Sequence, residues 1–330
     1  MTGGGLSRGP RAESPGSARC ASCEDAPPAE RALLGRGHRT LVRVAISLAP
    51  LLIGLVACSH GDRIVVGSKN FTESDLLGEI VAQQIERRTG LPVERRFHLG
   101  GTFVCHQAIT SGQIDLYVEY TGTAYTAVLK HAPVADRDSV YRTVARDYAQ
   151  RFELVWGKPF GFNNTFAITV RRRDATQYGL KRISDLTRVA PRWKAGFGYE
   201  FLERADGFRG LASVYGLRFA SPPTAMDLGL TYRALAEGKV DVIAGNSTDG
   251  QIQALDLVVL EDDRHYFPPY EAAPVIRQAA ITRHPGVAAA LDQLAGHISD
   301  AEMRRLNALA DVEHRDIATI ARDWLRASLP

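Results

Sequence analysis

Cysteine is scarce in this chain, and where it falls says more than its number. Of four cysteines, Cys20, Cys23 and Cys58 lie in the first fifth of the sequence, and only Cys105 follows. A lone cysteine beyond residue 58 excludes an intramolecular disulfide in the body. With no CxxC or HxxC companion it reads as a small buried residue. Cys20 and Cys23 form a CxxC with no second pair and no folded frame around it, which is too little for a zinc or redox site. Excess charge is lacking as well. The formal charge of +3 arises before residue 58, where seven of the forty basic and four of the thirty-seven acidic residues lie, leaving 33 of each behind. A neutral body carries no basic stripe, so a nucleic-acid partner is not expected. GxSxG, HExxH and P-loop motifs are absent, and Gly100-Gly101 is a turn signal rather than a dinucleotide fingerprint. The histidines are scattered with no second His four residues on, so neither a metal nor a cofactor is expected.

What is present begins with an address. Residues 44–57 form an apolar run that is too short to cross a hydrocarbon core of roughly 30 Å, flanked by Arg39 and Arg43 and closed by Leu55-Val56-Ala57-Cys58. This is the pattern of a lipoprotein signal, with the mature protein beginning at a lipidated Cys58. Two acyl chains anchor stably where one does not, because each buried methylene contributes about 0.8 kcal/mol. An uncleaved anchor, or a cut elsewhere, would still place the body outside the membrane. Residues 1–38 are rich in Gly, Ala, Pro, Ser and Arg without apolar periodicity, and are set aside with the rest of the 1–57 leader. About 270 residues remain, enough for two domains of ordinary size.

Their pattern is α/β. Short apolar runs at residues 63–67, 93–97 and 114–118 alternate with helical spacing over residues 72–89 and 102–111, and Thr72 stands where an N-cap would. A second unit reads as strands near 165–170, 195–198, 240–244 and 257–260, with a helix over 205–215. The last helices, 286–298, 300–309 and 314–327, have no strands of their own to cover, so they are expected to pack back on the first half. The chain then crosses twice, near Asn163 and near Tyr270. Lobe 1 takes residues 58–163 and 271–330, and lobe 2 takes 164–270. Two mostly parallel sheets flanked by helices, joined by two crossovers, form a hinged cleft.

Ligands of open α/β sheets bind where strands hand over to helices. Lys69 follows the first strand and precedes a helix N-terminus, where backbone N–H groups could meet an anion. Tyr120 and Thr123 follow the third strand. Asn164 and Phe166 sit at the first crossover, Ser247-Thr248-Asp249-Gly250 follows the strand near 240–244, and Tyr270 marks the second crossover. Any one of these is as well explained by rim packing or a solvated charge. Their joint placement around one cleft is what points to a site.

Five ordered segments, GSKNFTES at 67–74, HLGGTFVCHQAITSGQIDLYVEYTGT at 98–123, GFNNTFAI at 161–168, FLERADGF at 201–208 and STDGQI at 247–252, resemble the substrate-binding proteins of osmoprotectant ABC importers. The resemblance runs from about Ile64 to the last helices. It implies a two-lobed periplasmic-binding-protein fold of type II-like form and a quaternary amine as ligand: glycine betaine, carnitine, choline or proline betaine. It also implies a cage of aromatic faces for the trimethylammonium group, here Tyr120, Phe166 and Tyr270. Lys69, Thr123 and Arg204 match the residues that hold a ligand carboxylate, and Asn164 falls where an oxygen would face the methyl groups. Asn246 stands where a further cage aromatic sits in tight binders. The expected partners are an ABC permease and its ATPase, with the membrane reached through the lipid anchor and the receptor itself a monomer.

On this reading Lys69 and Arg204 together favour a carboxylated zwitterion over choline, since two cations facing a hydroxyl would be left unpaired. Two other readings stay open. The same receptor could take an amino acid, another small ligand or choline, or the fold could carry an enzyme using Cys105 or Asp249.

Overall fold

The computed structural model describes residues 62–329, so the leader at 1–57, with Cys20, Cys23 and Cys58, lies outside the described residues. Among the described residues, ten strands form two five-stranded sheets. The first has the order β2-β1-β3-β10-β4, made by β1 (Ile64–Gly67), β2 (Val93–Arg96), β3 (Leu116–Tyr120), β4 (Leu154–Trp156) and β10 (Ala272–Arg277). The second has the order β7-β6-β8-β5-β9, made by β5 (Phe166–Arg171), β6 (Ala195–Gly198), β7 (Thr224–Met226), β8 (Val242–Asn246) and β9 (Leu257–Val259). The chain thus leaves the first sheet after Trp156 and returns to it at Ala272.

The sheets are mixed rather than mostly parallel. β1 pairs in parallel with β2 and β3, and β6 with β7 and β8, but β10 runs antiparallel to β3 and β4 and β5 runs antiparallel to β8 and β9. The reason is connectivity. β5 and β10 are the strands entered from the other lobe, so each starts at the cleft where its neighbours end: Phe166 lies opposite Asn246, and Ala272 opposite Tyr120. The two entering segments also touch each other. Asn163 bridges Glu271, the Asn164 N–H donates to the Tyr270 carbonyl at 3.0 Å, and the Tyr270 N–H donates to Asn163 Oδ1 at 2.6 Å.

Helix α1 (Thr72–Thr89) follows β1 and sets the first core. Leu76, Leu77, Ile80, Val81 and Ile85 recur at helical spacing and are fully buried, each contributing about 1.5–3 kcal/mol on burial. Acids in its first turn, bases in its last and Gly90 at φ 73° suit the helix dipole and the left-handed stop. Thr72 is the first helical residue and not the cap, which is Phe71 and makes no side-chain bond. The helices Gly286–Asp292, Asp300–Asp311 and Ile317–Ser328 pack on α1, adding Leu291, Met303, Leu306, Trp324 and Leu325 to its core. The helix Arg137–Phe152 has a polar sequence with one buried stripe, Val140, Val144 and Tyr148, so its apolar signal is faint. The helix expected over 205–215 begins only at Phe208, because residues 204–207 turn to bring Arg204 and Asp206 together. Among the described residues no helix is long and apolar enough to cross a membrane.

Truncation at the centre of α1 tests this core. Ile80→Ala is expected to lower the unfolding free energy by about 2–5 kcal/mol in denaturant titrations. An unchanged midpoint would show that α1 does not anchor the first lobe.

Candidate functional site

The carboxyl ends of β1, β3, β6 and β8 and the starts of β5 and β10 meet at the cleft, where they line a cavity of about 350 Å³. All eight residues singled out in the sequence line it: Lys69, Tyr120, Thr123, Asn164, Phe166, Arg204, Asn246 and Tyr270. Strand register explains part of this, since Phe166 and Asn246 are direct cross-strand partners. Phe71, Phe103, Tyr199 and Phe201 join the lining, as do Glu200, Glu203 and Asp227. None of these had been singled out. Phe71 stacks beside Tyr120 with ring centroids 6.3 Å apart, while Phe103 and Tyr199 are half exposed at the rim.

The two cations of the cleft are not free. Lys69 is buried and its ammonium donates to Glu119 Oε1 at 2.5 Å and Thr102 Oγ1 at 3.0 Å. Arg204 is equally buried and forms a two-point pair with Asp206, Nε to Oδ1 at 2.9 Å and Nη2 to Oδ2 at 2.5 Å. Burial alone would raise the Asp206 carboxyl, but the Arg204 guanidinium outweighs it and holds the group below its ordinary value. Both cations also lie over rings of the presumed cage. Lys69 Nζ is 5.3 Å from the Tyr120 centroid, and the Arg204 guanidinium is 5.1 Å from Phe166 and 5.9 Å from Tyr270. The premise that Lys69 and Arg204 would stand unpaired without a ligand carboxylate therefore fails. Glu203 and Asp227, by contrast, have no cationic partner among the described residues.

Behind the cavity wall lies Glu73, a buried carboxylate that no cation among the described residues pairs with. It accepts from Tyr120 Oη, Asn164 Nδ2 and Asn307 Nδ2 at 2.7 Å and from Thr248 Oγ1 at 2.5 Å. Burial pushes its pKa above the ordinary value against the pull of these four bonds. Asn164 lines the cavity but spends its amide on Glu73, and its Oδ1 is buried without a hydrogen-bond partner. Glu73 is one of two acids in the first turn of α1, and nothing in the local sequence sets it apart from Asp75. The sequence signal for Glu200 was the four-residue spacing before Arg204.

Cys105 does not have the surroundings of a nucleophile. Its thiol is buried, directed at the Ser68 carbonyl at 3.3 Å, and pushed up to about 12 mainly by that burial. Asp249 accepts from Tyr232 Oη at 2.7 Å and the Asn246 N–H at 2.8 Å, while burial pushes it up to about 7. Among the described residues no His, Cys, Asp or Glu group is arranged to hold a metal ion.

Two α/β lobes joined by paired crossovers around a lined cleft define a solute receptor of the periplasmic-binding-protein type. Residues 62–327 match the substrate binding domain of ABC-type glycine betaine transport systems, and the chain belongs to that family. It is 36% identical over 297 residues to the glycine-betaine-binding protein of Pseudomonas aeruginosa, covering 86% of this chain and 94% of that one. It is 35% identical over 263 residues to an ergothioneine transport permease/ergothioneine binding protein of Helicobacter pylori. That match covers 79% of this chain and 47% of the relative, so the chain spans about half the length of that protein. A crystal structure described as a glycine betaine/carnitine/choline ABC transporter superimposes with a TM-score of 0.67 at 32% identity, over 80% of this chain and 98% of the other.

The raised carboxyl of Asp249 gives a signed pH prediction. A folded pKa near 7 against 3.8 unfolded means its stabilising contribution is full below about pH 4 and is lost as pH rises through 7. Wild type should therefore lose stability over that window, on the order of a few kcal/mol, relative to Asp249→Asn. Thermal unfolding curves of the two that stay parallel from pH 4 to 8 would refute this.

Proposed function

We propose that the protein is an extracytoplasmic receptor, tethered through a lipidated Cys58, that binds a quaternary-ammonium solute in the interlobe cleft and delivers it to an ABC permease and its ATPase. It acts as a monomer and performs no chemistry. One observation carries this reading: eight residues from well-separated stretches of the sequence, chosen for this ligand class, line one cavity between the lobes.

The chemistry of the cavity suits such a ligand. A trimethylammonium group has no N–H to donate, so it is attracted by ring quadrupoles and by nearby negative charge. Tyr120, Phe166 and Tyr270 supply the rings, with Phe71 adding a fourth face beside Tyr120. The carboxylates of Glu203 and Asp227 add negative potential. For a zwitterion, the third N–H of Lys69, the Thr123 hydroxyl and the edge of Arg204 serve the anionic end. Choline remains the second reading, favoured by the pairing of Lys69 and Arg204 with Glu119 and Asp206, which leaves neither cation in need of a ligand charge. The thiol form of Cys105, with its surroundings, favours a receptor over an enzyme.

Isothermal titration of the purified protein with glycine betaine, carnitine, ergothioneine and choline tests the ligand class. Tyr120→Leu is expected to weaken the best of these at least tenfold, corresponding to about 1.4 kcal/mol or more. Unchanged binding by that variant would remove the cage from the account. The tether is tested separately by fractionating cells. Cys58→Ala should move the protein out of the membrane fraction without changing the titration, and retention in the membrane would rule out lipidation at Cys58.

A further inference from the structure

One charged contact crosses the cleft where a ligand's own charge would be expected to act. Glu200 belongs to the second lobe, in the short helix Tyr199–Glu203 that follows β6. Its carboxylate reaches helix α2 (Thr102–Thr110) of the first lobe, where Oε1 accepts the Thr102 backbone N–H and Oε2 lies 3.2 Å from Thr102 Oγ1. The same hydroxyl accepts from Lys69 Nζ at 3.0 Å, and Arg204 Nη1 stands 3.7 Å from Glu200 Oε2. The carboxylate therefore sits between the two cations of the cavity, on the positive end of α2.

The surroundings are shaped for it. α2 has no acid in its first turn, and its N-cap is Gly101, which has no side chain to cap with. A Cβ at position 101 would collide with the Glu200 carboxylate, so Gly101 provides the clearance that lets the two lobes meet there. Lys69 and Arg204 are each neutralised by a buried acid of their own lobe, so Glu200 is a third carboxylate for two cations. A second anion in the same place would meet it at close range in a partly dehydrated cleft, where like charges are poorly screened.

We infer that Glu200 is an internal surrogate for a ligand carboxylate. It fills the anion position of the cleft, so a carboxylated solute must displace it, whereas a cation without a carboxylate gains from its charge. The inference rests on reading the cleft as a quaternary-amine site, and it makes Glu200 the residue that sets the balance between zwitterions and simple cations.

Two variants test it. Glu200→Gln keeps the shape and an acceptor for Thr102 but removes the charge. In isothermal titration, the ratio of glycine betaine affinity to choline affinity should rise at least fivefold over wild type. Equal loss for both ligands would make Glu200 a plain latch between lobes, and a larger loss for glycine betaine would make it a helper of the zwitterion. Either result overturns the proposal. The second arm needs no quaternary amine. In Glu200→Ala, sodium acetate should bind saturably and return the Thr102 amide proton resonance toward its wild-type position, with no such effect on wild type. An acetate titration without saturation overturns the proposal whatever betaine does. If acetate saturates the variant while wild type binds neither glycine betaine nor choline, the anion position stands and the ligand-class reading falls.

Discussion

A carboxylate buried without a cation is costly, and Glu73 is tolerated only because four donors converge on it. Those donors come from different parts of the chain: Tyr120 at the end of β3, Asn164 in the first crossover, Thr248 after β8, and Asn307 on the helix Asp300–Asp311. The α1 start, both lobes and the C-terminal helices are thereby held to one point. Asn307 also donates to the Thr248 carbonyl at 2.9 Å, so the second lobe is tied to the C-terminal helices directly as well as through the acid. The ring of Tyr120 lines the cavity in the orientation that the bond from its hydroxyl to Glu73 permits. The back wall of the cleft is fixed by a group that does not line the cavity itself.

Electrostatics in the cleft follow a different rule. Each cation that the sequence offered to a solute is met by an acid of its own lobe, Glu119 for Lys69 and Asp206 for Arg204, and both pairs are buried. Such pairs add little net stability after desolvation, but breaking one would strand a charge. Their effect is to fix geometry. Arg204 is held 5.1 Å from the centre of the Phe166 ring, and Lys69 is directed at Thr102, so rings and cations are presented in one arrangement. The rings are thus in contact with positive charge from the protein itself.

Much of the fold was legible in the sequence because its signals were local. The apolar periodicity of α1, the strand at β1 and the glycine at position 90 are read within one turn or one strand. The placement of Lys69, Tyr120, Thr123, Asn164, Phe166 and Tyr270 was legible too, since strand ends and crossovers followed by polar and aromatic residues mark the rim of an open sheet, whereas Arg204 and Asn246 were reached only through the family resemblance. Strand direction was not, because β5 and β10 owe their antiparallel course to the lobe from which the chain arrives, which no local pattern encodes. The helix Arg137–Phe152 was missed because three buried residues in sixteen leave a weak stripe. The partners of Lys69 and Arg204 escaped for another reason. Glu119 is 50 residues from Lys69, and the helix expected over 205–215 would have carried Asp206 away from Arg204, whereas the turn at 204–207 brings the two together.

The paired crossovers also have a mechanical meaning. Asn163 and Asn164 are laced to Tyr270 and Glu271 by backbone and side-chain bonds, so the two connections form a short ribbon and not two independent threads. A ribbon bends readily across its flat face but resists shear and twist in its plane. Relative movement of the lobes is thereby reduced toward a single angular coordinate. Asn164 and Tyr270 are bonded at the ribbon, where a rotation of one lobe against the other changes separations least, whereas Tyr199 stands half exposed on the cavity lining with no bond to the ribbon among the described residues. The depth of the cleft is therefore a lever arm: what is recognised near the ribbon is recognised in every posture of the molecule, and what is recognised at the rim reports how far the lobes have turned.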